Sequence, residues 1–151
     1  MNEKYICYCG LYCENCATMA KVEPAAKALY DEMKNAGFEE VIEFIPQSDG
    51  FWAFLQSMAT EGICTSCKEG SGNPACTLRL CASEKGVLAC ALCKEYPCPH
   101  FDDFFEGYPI LLEDNKLLRE KGLQAWGKLQ DERRKSGFTY SDQKDLKEGQ
   151  S

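Results

Sequence analysis

Residues 64–98 read CTSCKEGSGNPACTLRLCASEKGVLACALCKEYPC, and this stretch decides how the chain is organised. It holds seven of the chain's eleven cysteines (Cys64, Cys67, Cys76, Cys81, Cys90, Cys93, Cys98) and two CxxC pairs. A segment so rich in glycine and turn residues buries too little apolar surface to offset its conformational entropy. A structural zinc ion contributes on the order of 10 kcal/mol of apparent folding free energy, so metal is the expected organiser of residues 63–98. Two residues between cysteines let one tight turn aim both thiolates at a single ion.

Working outward, a third CxxC pair, Cys13 and Cys16, lies near the N-terminus beside Cys9 and Cys7. The competing explanation for so many cysteines is a disulfide scaffold of a secreted protein. MNEKYICYCG has no basic region followed by an apolar stretch and no small-residue cleavage site, and the cysteine count is odd. Both features favour thiols kept reduced in the cytoplasm and free to bind metal.

The expected ligands are Cys9, Cys13, Cys16, Cys64, Cys67, Cys76, Cys81, Cys90, Cys93 and Cys98, with His100, the chain's one histidine, as a further candidate. Spacing allows Cys64, Cys67, Cys76 and Cys81 to form one local site. Cys90, Cys93 and Cys98 would then take a fourth donor from His100 or from the N-terminal group. About two zinc ions per chain is the expectation, and an iron–sulfur cluster is the alternative that thiolates also permit. CGLYCENC matches the CxxxCxxC spacing of radical enzymes that use S-adenosylmethionine, but 151 residues cannot supply the barrel such enzymes resemble.

The rest of the chain has ordinary globular composition, 44% apolar and 27% charged residues. Tyr5 to Cys9 reads as a strand or extended lead-in. Helices are expected over 25–36, with Pro24 at its start and Gly37 as its stop, and from Ser48 to Gly62 with Phe51, Trp52, Leu55 and Met58 facing inward. A short helix is expected over 75–85, a helical turn over 99–105, and one long helix over 110–135 with Leu111, Leu112, Leu118, Leu123, Trp126 and Leu129 as its inward face. The fold class is therefore α+β or mostly α, a small single domain over 1–140 with helices flanking the cysteine-rich centre. Residues 141–151 read as a polar, frayed tail.

A net charge of −7 opposes general binding to a phosphate backbone, so nucleic acid is not an expected partner, and no membrane span is expected. The basic run from Lys116 to Lys135 reads as a solvated helix face. Asp102, Asp103 and Glu106 read as solvated carboxylates. With one histidine there is no HExxH motif, and no GxSxG or phosphate-binding glycine loop occurs. The balance points to structural zinc in a binding or adaptor module with a protein partner. The alternative is an enzyme that uses an open metal position or a reactive thiol.

The segments CGLYCENC (9–16), CTSC (64–67), CTLRLCASEKGV (76–87), CALCKEYPC (90–98) and LLEDNKLLREKGLQAWGKLQDERRKSGFTYSD (111–142) together resemble the small cysteine-rich bacterial and archaeal proteins of domain-of-unknown-function family 3795. RxCAxEKG at 79–86 and CxxCxxYPC at 90–98 carry the resemblance most specifically. The resemblance implies zinc binding and no particular activity. Cys7 falls outside the family's pattern.

Overall fold

In the computed structural model the described residues are 1–143, excepting the side chains of Asp102, Asp103 and Gln143. The fold is mostly α. Six helices run in chain order: α1 (Glu23–Asn35), α2 (Phe38–Val41), α3 (Ser48–Thr60), α4 (Thr77–Glu84), α5 (Asp102–Gly107) and α6 (Ile110–Lys135). Of the strand or extended lead-in expected at Tyr5 to Cys9, the extended form is seen at Ile6, and no strand forms there. Glu3–Tyr5 is a 3-10 turn, and the β pairing there is one isolated antiparallel bridge between Ile6 and Tyr12. Five residues between these partners leave room for a loop and no room for a ladder.

The chain divides into two compact units, Ala17–Cys64 and the remainder. In the first, a π-helical turn, Thr18–Val22, leads directly into α1, whose second residue is Pro24. Ala26 and Tyr30 from α1 and Leu55 from α3 form its buried core, flanked by Met33, Trp52, Met58 and Ala59. Tyr30 and Phe38 pack their rings on Trp52 at centroid distances of 4.9 and 5.4 Å. Phe51, expected to face inward, is exposed instead. The inward stripe of α3 is set by Trp52, Leu55, Met58 and Ala59, which leaves Phe51 and Phe54 outside it. Ser48 is the first helical residue, and its hydroxyl donates to the carbonyls of Ile42 and Ile45.

In the second unit, Ile6, Tyr12, Ala89, Ala91, Leu118 and Trp126 make one core, with the Tyr12 ring edge-on to Trp126 at 5.8 Å. A second cluster gathers Cys9, Leu78, Ala82, Cys90 and Phe101. Leu111, Leu118 and Trp126 are buried as expected, whereas Leu112 is exposed.

The single long helix expected over 110–135 is interrupted. Gly122 has φ 78° and ψ 177°, which no helical residue adopts. The contacts across it show what the interruption does: Arg133 is ion-paired with Asp114, and the Gln130 amide donates to the same carboxylate at 3.1 Å. In a straight helix residues 19 apart would sit about 28 Å apart. The chain therefore doubles back at Gly122, and α6 is a hairpin of two helical arms. Asp114, Asn115 and Gln130 are buried between its packed surfaces and the N-terminal loop.

This polar seam holds the chain's start. The Asn15 amide donates to the Gln130 side chain at 2.9 Å, the backbone N–H of Tyr12 donates to the Tyr140 hydroxyl at 2.9 Å, and that hydroxyl donates to Gln130 at 3.2 Å. Tyr140 opens a 3-10 turn over Tyr140–Gln143 and is buried, and Ser141 and Asp142, the first residues of the expected tail, are exposed and hydrogen-bonded to Thr139. The remainder of the expected tail, 144–151, lies outside the described residues. Most of the basic run is exposed, as a solvated face requires, and two of its arginines are tied to the fold. Arg133 pairs with Asp114, and Arg119 donates to the carbonyls of Ala91 and Cys93 at 2.7 and 3.0 Å.

Candidate functional site

The site is built from two loops of the second unit that bend their thiols toward neighbours. The first runs from Cys7 to Cys13. The Cys7 N–H donates to the Leu11 carbonyl at 2.8 Å, and the Gly10 N–H donates to the Cys7 carbonyl at 3.0 Å, closing a tight loop on the Ile6–Tyr12 bridge. Gly10 has φ +100°, and the Asn115 side-chain oxygen lies 2.0 Å from where a Cβ would stand. No other residue fits there. The Asn115 amide donates to the Cys9 carbonyl at 3.1 Å, so the α6 hairpin fixes the loop that presents Cys7 and Cys9.

Cys7 lies at the centre of this group. Its sulfur is 3.3 Å from that of Cys13, and Cys9 and Cys67 are also in its hydrogen-bonding range. The hydrogen bonds it shares with these neighbours, Cys13 foremost, raise the Cys7 pKa above the ordinary thiol value. The acceptors move the other way. The Cys7 hydrogen bond lowers Cys13, and it lowers Cys67 to about 6, helped by the backbone N–H of Tyr8. The backbone N–H of Cys67 is directed at the Cys13 sulfur, and the charges of Lys68 and Arg79 act on Cys67.

The second constellation surrounds a cavity of about 20 Å³ whose lining includes Cys81, Cys90, Cys93 and Cys98. Cys81 comes from α4, the 3-10 turn Cys90–Leu92 carries the CxxC pair, and Cys98 precedes the turn Pro99–Phe101. Burial, followed by the neighbouring Cys9, Cys98, Cys81 and Cys93, pushes the Cys90 thiol up to about 12. At the cavity's edge Lys85 and Glu95 are ion-paired at 2.6 Å. The two CxxC turns are alike: the N–H of Cys16 meets the Cys13 carbonyl, and that of Cys93 meets the Cys90 carbonyl, both at 2.9 Å.

Each of the eleven cysteines is a free thiol. Among the described residues no group of three or more His, Cys, Asp or Glu side chains is disposed around a common point so as to hold a metal ion as it stands. The grouping differs from the spacing-based one. Cys81 joins Cys90, Cys93 and Cys98 rather than Cys76, while Cys67 joins the N-terminal loop. Cys7, which sequence reasoning set aside, is the hub of that loop, and the signal that could have found it is its two-residue offset from Cys9 in a loop closed by Gly10. Cys76 is the residue preceding α4 and packs against the Cys9–Cys90 cluster. Cys16 ends the N-terminal part of the second unit, and Cys64 closes the first unit, its backbone N–H donating to Glu23 at 3.1 Å. His100 is exposed and is not among the residues lining the cavity. Glu106 is exposed, and the side chains of Asp102 and Asp103 lie outside the described residues.

Fold and site together define a small, mostly helical protein whose free thiols gather at two places around an N-terminal loop and two CxxC turns. Residues 5–103 match the family described as protein of unknown function (DUF3795), and the chain belongs to that family. No curated protein and no solved structure matches it. Among the described residues no helix is long and apolar enough to cross a membrane.

Proposed function

We propose that this is a zinc-binding protein of the reducing cytoplasm, with zinc held mainly for structure and the folded unit serving as a binding or adaptor module for a protein partner. The observation that carries this reading is the cavity lined by Cys81, Cys90, Cys93 and Cys98. Four cysteines are the donor set of a closed structural zinc site, and soft thiolates select zinc, copper(I) or iron–sulfur centres over hard cations. A cavity of about 20 Å³ has room for one atom-sized occupant, since a single water needs roughly 10–15 Å³. A [4Fe–4S] cluster is several times larger, so the cavity favours a single ion.

The thiols stand as a hydrogen-bonding and packing group rather than spread about one point. Cysteine has one rotatable bond to its sulfur, so rotation about χ1 with loss of the thiol protons is the change that binding asks of them. When bound, zinc would supply a cross-link between α4, the Cys90–Leu92 turn and Cys98. Arg119 holds the carbonyls of Ala91 and Cys93 and so fixes the turn that presents two of the donors. A site closed by four thiolates leaves no position for a reacting water, which supports a binding role over a catalytic one. Exposed Phe44 and Phe54 on the first unit are apolar surface that a protein partner could cover.

Elemental analysis of the purified protein tests the reading. Zinc at a ratio of one or more per chain, in a colourless sample, is the expected result. Stoichiometric iron and sulfide with broad visible absorption would overturn it.

A further inference from the structure

We propose a second metal centre in the N-terminal loop, in which Cys7, Cys13 and Cys67 bind one soft divalent ion with Cys9 as the fourth donor. This centre rests on the zinc-binding reading, and it assigns a ligand, Cys7, that neither spacing nor family pattern marks.

Three independent features converge on it. The first is proximity: Cys7 and Cys13 approach to 3.3 Å, with Cys9 and Cys67 in hydrogen-bonding range of the same sulfur. Zinc–thiolate bonds of about 2.3 Å put the sulfurs of a tetrahedral site about 3.8 Å apart, so a spread of a few tenths of an ångström separates the observed pair from that arrangement.

The second is the backbone. The N–H of Tyr8 is aimed at the Cys67 sulfur and the N–H of Cys67 at the Cys13 sulfur. Donors of this outer kind orient sulfur ligands toward a shared ion.

The third is charge. Four thiolates around a divalent ion carry a net charge of −2, and buried charge needs compensation. The half-buried ammonium of Lys68 sits 5.4 Å from the centroid of the Tyr8 ring, beside this group, and its charge and that of Arg79 act on Cys67. Thiols are weak donors and weak acceptors, so the hydrogen bonds among these sulfurs are a poor substitute for a shared ion. The centre would tie the chain's beginning to Cys67, sixty residues further on, and Cys9 and Cys13 are buried, so its role is structural.

The test uses the full chain loaded with cadmium-113 as the probe. Two cadmium resonances are expected, one showing scalar coupling to the β protons of Cys7, Cys9, Cys13 and Cys67, the other to those of Cys81, Cys90, Cys93 and Cys98. Absence of coupling to Cys7 overturns the second centre, even when the cavity resonance is present. Zinc content gives an independent reading. Cys7→Ser should lose one ion relative to the unsubstituted chain, Cys93→Ser should lose one, and the double variant should lose two. If Cys7→Ser keeps the full complement, Cys7 is no ligand and the centre is wrong. If the unsubstituted chain holds no zinc, the zinc-binding reading and this centre fail together.

Discussion

The backbone N–H of Cys90 donates to the carbonyl of Tyr8 at 2.7 Å. This one bond joins the loop that presents Cys7 and Cys9 to the turn that presents Cys90 and Cys93. The two thiol groups thus share a main-chain link, and Cys9 packs in one cluster with Cys90.

Substitution at the cavity should separate donors from neighbours. Cys81→Ser and Cys98→Ser are each expected to lose about one zinc per chain, because a serine hydroxyl at neutral pH supplies neither the charge nor the softness of a thiolate. His100→Ala should retain the full complement, since His100 is exposed and outside the cavity lining. Zinc per chain across the three variants is the measurement, and loss in the His100 variant would restore it as a ligand.

Metal removal should loosen the molecule unevenly. After a strong chelator at neutral pH, limited proteolysis is expected to cut within residues 65–98 before it cuts α1 or α6. The core of α1 and α3, Tyr30 with Leu55, contains no cysteine, and α6 buries Leu118 with Trp126, whereas the buried residues Leu78 and Ala82 of 65–98 sit in a cluster with the thiols of Cys9 and Cys90. Simultaneous cleavage everywhere would show that the ions hold the whole fold.

Gly10 and Gly137 both have positive φ, yet they should respond differently to alanine. Nothing lies within 4 Å of a Cβ at Gly137, so Gly137→Ala should cost about 1–2 kcal/mol, the left-handed penalty alone. At Gly10 the added carbon would meet the buried Asn115 side chain at 2.0 Å, and Gly10→Ala should cost about 2–4 kcal/mol and release the Cys9 carbonyl from its partner. Urea denaturation of the two variants compares them directly.

How much of this was legible in sequence depended on the range of the interaction. α1, α3 and α4 were readable because Pro24, Gly37, Ser48 and Gly86 act within a turn or two of where they stand. The ten expected cysteines were readable as a set, and their grouping was not, because Cys67 meets Cys7 through a fold that spacing does not encode. The break at Gly122 was missed for a related reason. A glycine within a helical pattern is tolerated at a cost of about 1 kcal/mol, and the reversal shows only in the Gly122 backbone and in the contacts of Asp114 with Gln130 and Arg133.

Alkaline titration should find tyrosines that ionise late. Burial, with donation to Glu14, pushes Tyr12 up to about 12, and burial raises Tyr140 as well. In the unfolded chain both titrate near pH 10. A folded-state pKa raised in this way favours the neutral hydroxyl, so its contribution to stability is fully present below about pH 10 and is lost as pH climbs through about 12. The expected result is a tyrosinate absorbance curve with a late component from Tyr12, Tyr140 and Tyr96, whose pKa burial also raises, and a urea midpoint that falls across the same window. Coincident titration of all seven tyrosines would show that the seam is open to water.

The hydrogen bond from Tyr12 to Tyr140 spans 128 residues. During synthesis at roughly 5–20 residues per second, that separation amounts to roughly 10 s between the ribosome's release of one partner and of the other. Trp126 and Gln130, which wall in the N-terminal loop, also emerge late. The first thiols made are thus the last enclosed, and throughout that interval the nascent chain displays Cys7, Cys9 and Cys13 to whatever metal donor or oxidant is nearby.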